Sequence, residues 1–142
     1  MEYSKIYKVK PEHIDAQQIM DGLYYPFYME DCRHAFIKDV LGFDLIHEAE
    51  NGTLMVLSQY TIKFVRSLKE NDEFKVTCSI MSDQAGLPRL HFKQEIILNG
   101  KIMTTAIFTG TCISKTGGRP FLPQAIEAII AQAPAIDIQL LK

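Results

Sequence analysis

The chain has 142 residues, 47% of them apolar, and a formal net charge of −2. That length and composition predict one globular domain over residues 1–142 with a core of its own. No basic run exceeds two residues, which argues against nucleic acid as the main partner but not against a small phosphorylated ligand, which needs only a few cations.

Residues 3–9, YSKIYKV, are expected to form a first strand, since Tyr3, Ile6, Tyr7 and Val9 favour extended backbone. Residues 10–22 show no period and read as irregular. Pro26 suits the first turn of a helix, where its missing N–H costs nothing. Tyr25, Met29, Cys32, Phe36 and Val40 then recur three and four residues apart and make an apolar stripe. Glu30, Arg33, His34 and Lys38 are left for other faces. Gly42 is the expected stop. The added apolar residues Phe27, Tyr28, Ala35, Ile37 and Leu41 predict a helix covered on several sides.

Beyond the helix the period changes. Residues 53–68, 73–83, 87–98 and 101–114 are rich in β-branched and aromatic side chains and read as four strands. Their links are short, and Asn99-Gly100 is a strong signal for a two-residue hairpin. Short links imply antiparallel neighbours. TGGRP (116–120) ends the last strand, and residues 123–133 form a final helix. The order predicts an α+β fold, with a long helix wrapped by a curved antiparallel sheet. An open sheet edge would favour a second copy.

Tyr25, Glu30 and Arg33 follow Asp15 at ten, fifteen and eighteen residues. This spacing, with the element order and the segment IKFVRSLKENDEF (62–74), resembles the hot-dog fold thioesterases, specifically the 4-hydroxybenzoyl-CoA thioesterase-like branch. The resemblance covers nearly the whole chain. It implies a hot-dog fold, hydrolysis of an acyl-CoA, and an active site between subunits of a homodimer or homotetramer. The chain departs from the family pattern at Gln17 and Gln18, where small residues are usual, and at Asp21-Gly22, where Tyr-His or Asn-Asn is common. In the family the thioester carbonyl is polarised by a backbone N–H at the start of the central helix. Gly22 still supplies an N–H and admits close approach.

The chemistry agrees with that implication. A thiolate leaves readily, its thiol pKa being near ~8.5, so no general acid is required. The carbonyl needs a donor, which free amides at residues 22–25 would provide, helped by the helix dipole. One carboxylate must then attack or deprotonate water. Asp15 is the first candidate, with an Asx-turn as its plain alternative. Glu30 is the second. It lies eight residues after Gly22, the offset at which another hot-dog branch carries its helical carboxylate, and its plain alternative is a partner for Arg33. Asp21 reads as a helix-capping residue, and Tyr25 as core that also lines the acyl site.

Arg89, Lys93 and Arg119 are candidate contacts for coenzyme A phosphates, with a solvated surface role as the alternative for each. His13 is expected at a solvated loop surface, and His47 and His91 have no nameable partner. No GxSxG, Walker loop or GxGxxG occurs. Cys32, Cys78 and Cys112 show no metal or CxxC spacing and read as reduced, buried residues, so neither metal nor cofactor is expected. The N-terminus has no apolar h-region and no run approaches the ~20 residues of a bilayer span. A cytoplasmic, membrane-free protein is expected. Two rival readings stay open: a non-catalytic acyl-CoA or acyl-carrier binding protein, and a hot-dog hydratase, for which no His stands in register.

Overall fold

In the computed structural model, which describes residues 3–142, the five strands form one antiparallel sheet. The strands are β1 (Tyr3–Lys8), β2 (Thr53–Phe64), β3 (Glu73–Met81), β4 (Leu90–Leu98) and β5 (Lys101–Ser114), in spatial order β1-β3-β4-β5-β2. Asn99 (φ +49°) and Gly100 (φ +77°) make the tight β4–β5 hairpin, with Leu98 opposite Lys101. The sheet closes over α1 (Tyr24–Asp39), which gives the hot-dog arrangement expected. β1 and β2 are the two edges.

Alternation along the strands decides what α1 meets. Phe74, Val76 and Cys78 on β3, Phe92 and Ile96 on β4, and Ala106 and Phe108 on β5 face inward, each buried. They pack with Tyr25, Tyr28, Met29, Cys32, Phe36 and Ile37 in one core. Gly42, at φ +66°, closes the helix, and the Phe43 N–H bonds back to the Ile37 carbonyl at 3.1 Å.

Several boundaries differ from the sequence expectation, each for a local reason. The helix begins two residues before Pro26, the last stripe residue, Val40, is 46% exposed, and Phe27, expected to be covered, is 54% exposed. One side of α1, carrying Phe27, Glu30, Asp31 and His34, therefore faces outward. Arg33, grouped by periodicity with the polar faces, is instead buried, at 5% exposure. The second strand stops at Phe64 because the Val65 and Arg66 N–H groups both turn to the Met103 carbonyl, at 2.8 and 3.0 Å. The third stops at Met81, and the fourth begins at Leu90, after a turn in which Asp83 accepts the Leu87 N–H. The final helix, α3, covers only Gln124–Ile130. A short α2 (Leu45–Glu50) was not expected. Asp44 caps it by accepting from Ile46 and His47 N–H groups. Residues after α3 return across the sheet, with the Ile136 N–H on the Ser82 carbonyl and the Thr61 hydroxyl on the Leu141 carbonyl.

Candidate functional site

The irregular stretch before α1 is a small hairpin. Pro11–His13 form a 3-10 turn, Ile14 bridges Met20, and the Asp21 N–H bonds the His13 carbonyl at 2.9 Å. Asp15 begins its tip and Gly22 follows its second arm, so the hairpin sets the two on neighbouring limbs. Asp15 Oδ1 accepts the Gln17 N–H at 2.7 Å, an Asx-turn. Its second oxygen has no partner among the described residues. The Asp15 N–H meets the Ile19 carbonyl and its own carbonyl accepts from Gln18. Gln18, at φ +68°, occupies the left-handed region where the family usually has glycine. Its side chain is exposed.

His13 locks this hairpin to the helix. Contrary to the solvated role expected, it is buried, stacked on Tyr24 at 3.8 Å between ring centres, with Nδ1 hydrogen-bonded to Tyr28 Oη at 2.7 Å. Leu68, fully buried after β2, supplies a second lock. Its N–H donates to Tyr25 Oη at 2.9 Å and its carbonyl accepts the Met20 N–H at 2.8 Å. Neither role leaves a signature in sequence, because each depends on where a loop passes.

At the helix start, Asp21 Oδ1 accepts the Leu23 N–H at 2.9 Å and the Asp21 carbonyl accepts from Tyr24. The capping role expected for Asp21 is thus occupied, and two of the amides expected to be free are spent. Gly22 keeps its N–H without a protein partner among the described residues. Its exposed backbone faces Phe64: a Cβ added there would stand 3.9 Å from the ring tip. Phe64 in turn packs edge-on against Tyr25, with ring centres 5.1 Å apart. Burial raises the Tyr25 phenol above its ordinary range, the Leu68 N–H works against that, and the Asp15 charge adds to it. Gly22, Tyr25 and Phe64 therefore meet at the positive end of α1, and the charge of Asp15 acts on Tyr25 there.

The other candidates lie elsewhere. Glu30 is exposed two turns along α1, roughly 12 Å of helix rise from Gly22. It lines a cleft of about 320 Å³ between α1 and the β2–β5 pair. Arg89 and Arg119 are not brought to the Asp15 spot within the subunit. Leu90 pairs with Gly110, six residues along β5 from Thr104, the partner of Phe64, a separation of roughly 20 Å. Arg89 is also engaged: its Nε donates to Asp83 Oδ1 at 2.6 Å. Arg119 lies exposed in the loop before Phe121, which bridges Cys112 at the same far end. Lys93 is exposed on β4. His91, with no partner foreseen, is fully buried between Asp83 (2.9 Å) and the Thr109 hydroxyl (2.8 Å). Asp83, His91 and Thr109 resemble a relay, but the histidine and hydroxyl are sealed from any substrate. The three cysteines are free and buried, and burial raises each thiol. Among the described residues no helix is long and apolar enough to cross a membrane.

The sequence profile of the thioesterase-like superfamily matches residues 9–133. An acyl-acyl carrier protein thioesterase of Arabidopsis thaliana, ATL3, chloroplastic, is 28% identical over 102 residues. That match covers 66% of this chain and 52% of the plant protein, so the chain spans about half the length of that curated relative. Among solved structures, a 1,4-dihydroxy-2-naphthoyl-CoA thioesterase from Synechocystis superposes with a TM-score of 0.78 at 15% identity, covering 93% of this chain and 97% of its own. A protein from Staphylococcus aureus solved in complex with CoA gives a TM-score of 0.79 at 19% identity, covering 96% and 89%. These likenesses establish a shared fold.

Proposed function

The chain belongs to the thioesterase-like superfamily, and from that membership and the Asp15–Gly22 arrangement we propose that it hydrolyses the thioester of an acyl-CoA. The observation that carries the reading is a single hairpin that bears a carboxylate held at one oxygen by an Asx-turn and leads into an unpartnered amide at the head of α1. The Gly22 N–H polarises the carbonyl oxygen as it gains charge, a contribution worth about 10²–10³ in rate for one well-placed donor. The free Asp15 oxygen either attacks the carbonyl carbon, forming an anhydride that water later hydrolyses, or takes a proton from the water that attacks that carbon. The CoA thiolate then departs without an acid. Tyr25 and Phe64 wall the spot.

The site is finished by a second copy. β2 is an edge strand, and Leu57, Tyr60, Phe64 and Val65, in it and just beyond it, are exposed. Pairing there would bury these side chains and place partner groups over Gly22 and Phe64. In such a homodimer Arg119 of one copy is free to meet CoA phosphate, whereas Arg89 is held by Asp83. An acyl-carrier protein substrate fits the same chemistry, as the name of the plant relative suggests.

Thiol release from a panel of acyl-CoAs by wild type, Asp15→Asn and Glu30→Gln tests the assignment. Loss in Asp15→Asn alone supports it, and loss in Glu30→Gln alone moves the carboxylate onto the helix. Tight acyl-CoA binding without turnover in the wild type would favour the non-catalytic alternative, for which the Gln18 departure speaks.

A further inference from the structure

Arg33 is a buried guanidinium with few partners. It is 5% exposed, yet among the described residues its one hydrogen bond is from Nη1 to the Gln94 Oε1, at 3.1 Å. Its Cζ stands 4.1 Å from the centre of the Phe108 ring, a cation–π contact. No carboxylate lies within ion-pair distance of it among the described residues. Gln94 is itself fixed, its Nε2 donating to the Met29 carbonyl at 2.9 Å. A guanidinium has five N–H donors. The one buried side-chain polar atom sealed away without a partner among the described residues is Thr104 Oγ1. The unused nitrogens of Arg33 therefore still reach open space, and the space beside Arg33 is the cleft of about 320 Å³ that it lines with Glu30, Ile37, Met55, Leu57 and Phe92.

The cleft lies farther along α1 than the proposed reaction site. Gly22, Pro26, Glu30 and His34 recur every four residues, and Arg33 and Ile37 lie beside them on the same side of α1. Two stretches of β2 meet that side: Phe64 packs by Tyr25, and Leu54–Leu57 line the cleft beside Arg33. Helical side chains lean toward the N-terminus, so the Arg33 head group reaches back toward Gly22. At the far end Gly110 lets β5 pack close to β2, since a Cβ there would crowd the Val56 carbonyl at 3.1 Å. A chain whose thioester sits at Gly22 and which runs along α1 ends at a charged donor in a slot that is apolar apart from Arg33, Glu30 and His34.

Resting on the thioesterase reading above, we infer that this cleft receives the far end of the acyl group. There Arg33 selects chains that carry an accepting oxygen, as a carboxylate or a carbonyl, over plain alkyl chains. Glu30 stands exposed at the mouth, where its charge acts on the guanidinium without forming an ion pair with it. A charge-assisted bond to a desolvated guanidinium sets the size of the preference, about tenfold to a hundredfold.

The test is kcat/KM for three CoA thioesters of equal length, one plain alkyl, one oxoacyl and one ending in a carboxylate. Wild type is expected to favour at least one oxygen-bearing chain by about tenfold or more. A carboxylate preferred alone points to charge pairing, and both preferred alike point to neutral acceptance; either supports the inference. In Arg33→Met the ratio should fall toward one, and in Arg33→Lys, the variant to use if the first does not fold, it should fall partway. Equal use of the three chains by wild type overturns the inference without any variant, as does a preference that survives both substitutions. Absence of hydrolysis of every thioester overturns the proposed function itself and this inference with it.

Discussion

Tyr25 Oη accepts the backbone N–H of Leu68 at 2.9 Å, joining the first turn of α1 to the loop that leaves β2. Leu68 is fully buried, so in Tyr25→Phe its N–H is left without a partner. The expected cost is about 1–3 kcal/mol, read by urea denaturation. Leu68 also holds Met20 through its carbonyl, so thioesterase activity should fall further than the stability loss alone explains. A variant as stable as wild type would remove the clamp from the account.

Asp15→Asn keeps the oxygen that accepts from Gln17 and therefore keeps the Asx-turn. Its melting temperature should stay close to wild type, while kcat falls about a hundredfold or more. Asp15→Ala should lose both. A stable, active Asn variant would reduce Asp15 to a turn residue.

Gln18→Gly should stabilise the protein. A side chain at φ +68° carries a left-handed penalty of about 1–2 kcal/mol, against about 0.5–1 kcal/mol for the extra freedom of glycine in the unfolded chain. The net gain is about 0.5–1 kcal/mol by thermal or urea melts, and destabilisation would show that the Gln18 conformation is held by contacts of its side chain.

Stability should fall in acid through Asp83. Burial alone would raise its pKa, but hydrogen bonds from His91, the Leu87 N–H and Arg89 lower it overall. A carboxylate depressed on folding contributes stability that is present above its unfolded pKa of about 3.9 and is lost as pH falls through the folded value. In Asp83→Asn the stability curve should be flatter below about pH 4 and lower at neutral pH. A wild-type curve that the substitution leaves unchanged in acid would contradict this.

If a second copy walls the Gly22 spot, activity and dimer mass should vanish together on dilution. Sedimentation at falling concentration, alongside specific activity, checks this, and full activity in a monomeric sample would place the whole site in one subunit.

Much of the fold was legible because its signals are local. Asn99-Gly100 marks the β4–β5 hairpin, the spacing from Tyr25 to Phe36 marks α1, and Gly42 marks its end. Strand ends were harder, since Phe64 is the last residue of β2 only because Met103 offers its carbonyl to the next two amides. α2 escaped because six residues show too little period, although Asp44 carries a capping signal. The site divides in the same way. Asp15, Gly22 and Tyr25 were picked out as candidates by spacing, whereas nothing in the spacing signalled the burial of Arg33. Periodicity sorted it by polarity, and its position in the core rests on Gln94, sixty-one residues away on β4, and on the Phe108 ring of β5. His13 and His91 were missed for the same reason, each being paired across the fold.

The stacked imidazole of His13 has a practical consequence. Held face-on by Tyr24 and edge-on by Phe27 and Tyr28, its ring protons sit in strong aromatic shielding that exists only while the hairpin is docked. Their magnetic resonance signal is thus a built-in gauge of whether the helix entrance is assembled, one that can be followed during titration with a thioester without attaching any label.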